Sequence, residues 1–232
     1  MDTQKRIITL DDISLQVITG SMFSGKTEEM IRRLNRDEVV GLKTVIIRPS
    51  IDIRSQHALQ SHSKITWAGH QEYIDCDKPE KAIEIATKKG YNALGFDECQ
   101  FYSSPEIVTV LLRLAYAGRK IYATMLDLDF RGLPYGYAPQ ITSVATSVDK
   151  LTALCSICKN EATRTQRLDD VGNPVVWNDQ LNLIGDEKVL GCRYYLARCT
   201  NHHIVLDENG KRVIVLDSKG TLVPWEQFVS IE

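Results

Sequence analysis

A glycine-rich loop near the N-terminus constrains this chain more than any other feature. It stands between a strand-like run, Leu15–Thr19, and a segment with apolar residues at helical spacing, Glu28–Arg36. In loops of this type, backbone amides and a helix N-terminus surround phosphate oxygens, the lysine reaches the β- and γ-phosphates, and the hydroxyl ligates Mg²⁺. The sequence therefore predicts a site for a nucleoside triphosphate with Mg²⁺. The pattern G-x-x-x-x-G-K-[ST] is met by Gly20, Ser21, Met22, Phe23, Ser24, Gly25, Lys26 and Thr27.

Strand-like and helical segments alternate through the first 150 residues. This order predicts an α/β fold, a parallel sheet with helices on both faces and the phosphate loop at the carboxyl end of its first strand. A polar stretch, 50–76, interrupts the pattern and predicts a long loop or a small hairpin. The predicted strands are Leu15–Thr19, Thr44–Ile47, Ala93–Phe96 and Lys120–Thr124, and the predicted helices are Glu28–Arg36, Pro79–Lys89 and Pro105–Ala117.

The residue pattern of the sequence changes after residue 150. Cysteine and histidine pairs flank a span rich in Gly, Asn and Asp, which predicts a smaller second unit. The tail then alternates around Asn209-Gly210, a signal for a β-hairpin. We expect a nucleotide-binding domain at 1–150, a small metal-binding unit at 151–203 and an extension at 204–232.

Two adjacent acids end the apolar run Ala93–Phe96. If that run is a strand beside the phosphate loop, Asp97 and Glu98 lie at its carboxyl end. One acid can then hold Mg²⁺ through water while its neighbour faces the nucleophile as a general base. The pair and the loop together predict phosphoryl transfer.

Four residues form two short-spaced ligand pairs about forty positions apart. They are Cys155 and Cys158 in C-x-x-C, and Cys199 and His202 in C-x-x-H. Four protein ligands are what a closed, tetrahedral structural zinc site requires. His203 is an alternative fourth ligand, and the spacing alone does not decide between the two histidines.

Composition narrows the function classes. The chain has 232 residues and a net charge of −2, without a basic stripe, which argues against a duplex nucleic-acid binder. No apolar run is long enough to span a bilayer and the N-terminus has no signal-peptide pattern, so we expect a cytoplasmic protein without a membrane role. The main alternative to a small-molecule kinase is a nucleic-acid-dependent ATPase whose zinc ribbon is a binding module.

Several motifs together resemble the zinc-containing, P-loop type of the thymidine kinase family. The resemblance spans residues 15 to 203. It implies a RecA-like α/β domain, a zinc-bearing lasso domain that covers the nucleoside, and a cytosolic homotetramer. It further implies ATP-dependent phosphorylation of the thymidine 5′-hydroxyl and feedback inhibition by dTTP. The motifs are GSMFSGKTEEMIRR, FDECQFY, LDLDFRGLPYG, KLTALCSIC and YLARCTNH.

The resemblance also implies roles for individual residues. Glu98 matches the general base, Lys26 and Thr27 the phosphate and Mg²⁺ residues, Asp97 the second acid, and Gln100 a nucleotide-contacting residue of the same strand end. Asp52 and Arg54 match a Mg²⁺/phosphate pair. The thymine pocket implied by the resemblance consists of Met22, Phe101, Leu126, Phe130, Tyr135, Thr165 and Tyr195.

The chain departs from the family pattern at a few positions. Met125 stands where the family has Gly, and Arg48 where it has Lys. The lasso glycines align either with Leu183-Ile184-Gly185 or with Val189-Leu190-Gly191, and both alignments stay open. Base selectivity among pyrimidine nucleosides stays open too, because small groups change binding by only about 1–3 kcal/mol in an apolar pocket.

Overall fold

A six-stranded parallel sheet forms the centre of the molecule. The computed structural model describes residues 13–50, 67–181 and 195–229. The strand order is β3-β2-β4-β5-β1-β6, and all five neighbouring pairs run parallel. The strands are β1 (Ser14–Gly20), β2 (Thr44–Pro49), β3 (Gln71–Ile74), β4 (Ala93–Phe96), β5 (Lys120–Met125) and β6 (Ser147–Leu151).

The central strands confirm the predicted α/β fold, and the edges of the sheet add to it. Within the polar stretch 50–76 the structure describes residue 50 and residues 67–76, where β3 pairs in parallel with β2, so the choice between a loop and a hairpin stays a prediction. Residues 51–66 lie outside the described part. Strand β6 was not predicted; its side chains are mostly exposed, so no apolar run marks it.

Helices cover both faces of the sheet. On one face, α1 buries Met30, Ile31 and Leu34 against a cluster that includes Ile18 and Ile46. The opposite face carries α2, α3 and α4, which cover the larger apolar cluster. The helices are α1 (Lys26–Val39), α2 (Lys81–Lys89), α3 (Glu106–Tyr116), α4 (Ala138–Val144) and the short α5 (Glu226–Val229).

The solvent side of α1 is held by an arginine–glutamate network. Glu29 accepts a hydrogen bond from Arg32 Nε at 2.6 Å and one from Arg33 Nε at 2.8 Å. Arg33 also reaches Asp149 on β6 at 2.7 Å. These contacts tie the first turns of α1 to the edge of the sheet.

Three small antiparallel sheets follow the central one. The sheet β7–β8 is a two-residue ladder, β9–β10 lies in the segment 151–203 that the sequence predicts as a second unit, and β11–β12–β13 forms the C-terminal sheet around the predicted Asn209-Gly210 turn. Their bounds are β7 (Ala153–Leu154), β8 (Glu161–Ala162), β9 (Arg164–Arg167), β10 (Tyr195–Arg198), β11 (Val205–Leu206), β12 (Arg212–Val215) and β13 (Leu222–Pro224).

Parallel pairing brings the carboxyl ends of β4, β5 and β1 to one edge of the sheet, because the three strands are neighbours. The segments that follow them all carry predicted site residues. Across the described ranges, no helix is both long and apolar enough to cross a membrane.

Candidate active site

The phosphate loop joins β1 to α1 through a tight backbone turn. Gly20 has φ +142°, and a Cβ there would lie 2.2 Å from the carbonyl oxygen of Leu151. Gly25, with φ +84°, turns the chain directly into α1. Lys26 Nζ lies folded over the loop and donates to the Ser21 carbonyl oxygen at 2.7 Å. The loop thus presents a lysine ammonium and a helix N-terminus at one place, as a phosphate site requires.

Asp97 is buried beside this loop at the end of β4. Its Oδ1 accepts hydrogen bonds from the hydroxyls of Thr27, at 3.3 Å, and Thr124, at 2.5 Å. Its Oδ2 lies 3.8 Å from Nε of the buried Arg48. Two threonine hydroxyls and a guanidinium therefore surround this carboxylate, and only 2% of the residue's surface is exposed.

Glu98 follows in a left-handed backbone conformation, with φ 53° and ψ 45°. Non-glycine residues rarely adopt this conformation, and at functional sites it persists because neighbouring contacts hold it. One such contact is Gln100, whose Nε2 donates to Glu98 Oε2 at 2.5 Å. Gln100 Oε1 in turn accepts from the Leu126 backbone N–H at 3.1 Å. The Glu98 carboxylate is thereby linked, through Gln100, to the segments that follow the neighbouring strands β4 and β5.

The turn after β5 is organised by the buried carboxylate of Asp129. Oδ1 accepts from the backbone N–H groups of Arg131 and Leu133, and Oδ2 accepts from the Arg131 guanidinium at 2.6 Å. This arrangement fixes the intervening Phe130, whose side chain is buried. Tyr135, at the end of the turn, belongs to an aromatic pair described below. These hydrogen bonds therefore hold the backbone of the turn in place.

Two contacts join pairs of the residues that are predicted to form the base pocket, and other residues link the rest to the site. Phe101 and Tyr135 pack edge to face, with ring centroids 6.2 Å apart. The Met22 backbone N–H donates to Thr165 Oγ1 at 3.1 Å. Leu126 is tied to Gln100 by the hydrogen bond described above.

Arg167 lies beside Phe130 and pairs along the β9–β10 ladder with Tyr195. The Arg167 guanidinium lies 5.3 Å from the Phe130 ring centroid, and Arg167 is the ladder partner of Tyr195. The seven predicted pocket residues thus lie on the phosphate loop, on the segments that follow β4 and β5, and on the β9–β10 ladder.

The second unit is fastened directly to the phosphate loop. Ser21 Oγ donates to the Ala162 carbonyl oxygen at 3.1 Å, and Met22 is held by Thr165. Phe23, which has a positive φ of 66°, packs against the small cluster that surrounds the cysteine ligands. Two successive loop residues thus contact β8 and β9.

The four predicted metal ligands meet in space. Atoms of Cys155, Cys158, Cys199 and His202 all lie within 4.8 Å of one another. The Sγ atoms of Cys158 and Cys199 are 3.8 Å apart, and His202 Nδ1 lies 3.6 Å from Cys155 Sγ and 3.2 Å from Cys199 Sγ. A tetrahedron with Zn–S of about 2.3 Å and Zn–N of about 2.0 Å has edges of about 3.8 Å (S···S) and about 3.5 Å (S···N). The donor set and its spacing therefore fit a closed zinc site.

Ionisation at Cys155 also suits a metal. Burial opposes loss of the proton, but hydrogen bonds from the backbone N–H groups of Cys158, Cys199 and Ile157 outweigh it and lower the pKa of the Cys155 thiol to about 5. The thiolate is the form that ligates a metal ion.

His203 has a different partner and is not in this group. Its Nε2 lies 2.8 Å from the Phe130 carbonyl oxygen, which can only accept, so Nε2 carries the hydrogen. Burial lowers the pKa of His203 to about 4, which keeps the ring neutral near pH 7. Between the two histidines left open by the sequence, the structure therefore selects His202 for the metal group.

Some predicted residues fall outside the described part of the chain, and some important ones were not predicted. Asp52, Arg54 and both candidate lasso glycine segments lie outside the described residues. Thr124, Asp129 and Gln166 were missed as site residues. Asp129 had a local signal, since an acid two residues before Arg131 in a turn is a common backbone-capping arrangement, whereas Thr124 stands in an ordinary strand run.

Comparison with known proteins gives a consistent result. A family model described as "Thymidine kinase" matches residues 13–203. A thymidine kinase of Coprothermobacter proteolyticus is 40% identical over 200 residues, covering 86% of this chain and 94% of that protein. One from Halobacterium salinarum is 38% identical over 196 residues, covering 84% and 95%. One from Deinococcus radiodurans is 38% identical over 180 residues, covering 75% and 84%. A family match over most of the chain, together with relatives of similar extent, shows that the chain belongs to the thymidine kinase family.

Proposed function

We propose that this kinase transfers the γ-phosphate of ATP to the 5′-hydroxyl of thymidine and yields dTMP for DNA synthesis, with deoxyuridine as a further candidate substrate. One observation carries the proposal: Glu98, which follows the Asp97 that contacts Thr27 of the phosphate loop, has a left-handed backbone conformation and a carboxylate that accepts a hydrogen bond from Gln100. Membership of the family and the names of its relatives support the choice of thymidine.

In the proposed reaction Glu98 is the general base. Its carboxylate takes the proton of the 5′-hydroxyl as that oxygen forms a bond to the γ-phosphorus. The bond between the γ-phosphorus and the β,γ-bridging oxygen breaks, and ADP leaves with its electron pair. Proton transfer of this kind contributes about 10²–10⁴-fold to the rate.

The phosphate side is assigned to the loop and to Asp97. Lys26 would leave the Ser21 carbonyl for the β- and γ-phosphates, and the backbone amides of residues 20–27 would cradle their oxygens. Thr27 and Asp97, which already share a hydrogen bond, would hold Mg²⁺. When bound, Mg²⁺ supplies neutralisation of the phosphate charge. The Asp52 and Arg54 assignments rest on the sequence resemblance alone.

The base would sit among Met22, Phe101, Leu126, Phe130, Tyr135, Thr165 and Tyr195. Aromatic faces can stack on a pyrimidine, and the apolar groups can seat its 5-methyl. Cys155, Cys158, Cys199 and His202 would hold a structural Zn²⁺, which stabilises the unit that carries Thr165 and Tyr195.

Three further proposals come from the family resemblance: a homotetramer, a cytoplasmic location, and inhibition by dTTP. Light scattering on the purified protein tests the first, and fractionation of cells that express it tests the second. The third is tested by adding dTTP to the assay described next.

The direct test separates nucleotides by chromatography after incubation with Mg-ATP and thymidine. The proposal requires thymidine-dependent dTMP, lost almost entirely in Glu98→Gln and retained in Glu84→Gln, a matched change at an exposed site on α2. Equal turnover in Glu98→Gln would remove Glu98 from its role. ATP consumption without dTMP, stimulated by single-stranded nucleic acid, would instead favour the nucleic-acid-dependent ATPase.

A further inference from the structure

The C-terminal sheet lies beyond the residues matched by the family, 13–203, yet it is packed into the site region. Its core residues Val205, Val213 and Val215 enclose Leu133, which belongs to the Asp129 turn. Trp177 and Leu222 pack against the same cluster. The C-terminal sheet therefore packs, through Leu133, against the turn that carries Phe130.

Arg212 extends from β12 to the turn that carries His202. Its Nη2 donates to the carbonyl oxygens of Asn201, at 2.9 Å, and His203, at 2.7 Å. These carbonyls belong to the two residues that flank the metal ligand. One guanidinium therefore fixes the backbone on both sides of His202.

Trp225 holds the Arg212 side chain in place. The guanidinium carbon lies 3.6 Å from the indole ring centroid, a close stacking contact. The Trp225 backbone N–H also donates to the Arg212 carbonyl oxygen at 3.2 Å. The planar guanidinium can stack face to face on the ring and still donate hydrogen bonds in its own plane, a geometry that an ammonium group does not reproduce.

The same turn is held from its other side by groups of the active site region. Gln166 on β9 accepts from the Ile204 N–H and donates to its carbonyl oxygen, at 2.8 and 2.9 Å. His203 donates to the Phe130 carbonyl oxygen. The turn 201–204 thus contacts the metal group, the strand β9 that carries Thr165, and the turn that carries Phe130.

We propose that Arg212, clamped on Trp225, is a positioning residue that fixes the turn 201–204, and so holds His202 toward the metal and Phe130 toward the nucleoside. Residues that orient a ligand from outside the coordination sphere typically change metal affinity 10- to 100-fold when altered, which is about the effect expected here. The metal part rests on the Cys₃His group alone, and only the Phe130 part rests on the proposed function.

The test measures zinc release from the purified full-length protein into excess chelator with a colorimetric zinc indicator. Arg212→Lys and Trp225→Leu should release zinc about tenfold faster or more, while Trp225→Phe, which keeps an aromatic face, should stay within about threefold of wild type. Lys211→Gln is the matched control, since it alters the neighbouring exposed cation. Ile141→Val, a change in the distant sheet core, controls for general destabilisation.

Unchanged zinc release in both Arg212→Lys and Trp225→Leu would overturn the proposal. The proposal would also be overturned if Ile141→Val, at a similar loss of thermal stability, accelerated zinc release equally, or if the wild-type protein bound no zinc. A second readout is steady-state kinetics: Arg212→Lys should raise KM for thymidine about fivefold or more and leave KM for ATP within about twofold. A parallel rise in both constants would refute the link to Phe130. Zinc release needs no substrate, so it remains decisive if thymidine is not the substrate.

Discussion

Replacing Gln100 by Met should impair turnover, because it releases Glu98, the proposed general base. Gln100 is 3% exposed, and its amide makes two hydrogen bonds, one to Glu98 Oε2 and one from the Leu126 N–H. Met has a similar volume and no amide, so the core stays filled while both bonds are lost. The Glu98 carboxylate then samples orientations that do not face the 5′-hydroxyl.

The expected size of the effect follows from the lost bond. A hydrogen bond to a charged group is worth about 1.5–3 kcal/mol, which corresponds to roughly a 10- to 150-fold lower kcat if the bond acts only through orientation of the base. The Leu126 N–H also loses its partner, at a cost of about 1–3 kcal/mol in the free energy of unfolding. Urea unfolding measures this second quantity separately.

A double-mutant cycle tests whether Gln100 acts through Glu98. In the Glu98→Gln background the base is already absent, so adding Gln100→Met should change kcat by less than about twofold. Gln140→Met, the same chemical change on an exposed position of α4, should be neutral in both backgrounds. Multiplicative losses in the double variant would refute the reasoning, because Gln100 would then contribute by a separate route.

Three other perturbations probe the loop, the Gln100 backbone and α1. Gly20→Ala puts a Cβ 2.2 Å from the Leu151 carbonyl oxygen and should abolish ATP binding measured by calorimetry; normal affinity would contradict the loop assignment. Gly136→Ala puts a Cβ 2.7 Å from the Gln100 carbonyl oxygen, at φ +50°, and should lower kcat with little change in KM for ATP. Glu29 has its pKa lowered from 4.5 to about 2 by hydrogen bonds from arginines in the next turn, so its stabilising effect is complete above pH 4.5 and lost as the pH falls toward 2. The stability difference between wild type and Glu29→Gln in urea should therefore shrink between pH 7 and pH 3, and a constant difference would refute it.

The central strands could be predicted because buried parallel strands are continuous apolar runs. The strands at the edges of the sheet could not be predicted in this way. Strand β3 has one fully buried side chain, Ile74, and β6 has mostly exposed ones, so neither leaves a hydrophobic signature. Both are strands because a neighbouring strand offers backbone partners, a fact that periodicity does not contain. Helix α4 escapes the pattern for another reason, because it buries only two residues in one short segment.

Whether a site residue could be predicted likewise depends on whether its signal is local in the sequence. The phosphate loop, the acidic pair and the four metal ligands were predictable because each motif is local and its chemistry demands fixed spacing. Contacts that orient those motifs come from distant positions: Thr124 reaches Asp97 across 27 residues, and Gln166 reaches Ile204 across 38. A threonine or glutamine in a strand carries no sign of its partner, so only the folded chain identifies these residues.

The contacts between the phosphate loop and the second unit make the two halves of the site interdependent. Ser21 and Met22 each hold one backbone or side-chain group of β8 and β9, and Phe23 packs on the cluster beneath the metal ligands. Strand β9 also carries Thr165, a predicted pocket residue. A movement of the segment 151–203 would therefore displace Thr165, a predicted wall residue of the nucleoside pocket, together with the phosphate loop. A Cβ on Gly20 would lie 2.2 Å from the Leu151 carbonyl oxygen, so the loop has no room for a side chain at its first position. The coupling therefore depends on the backbone path of the loop.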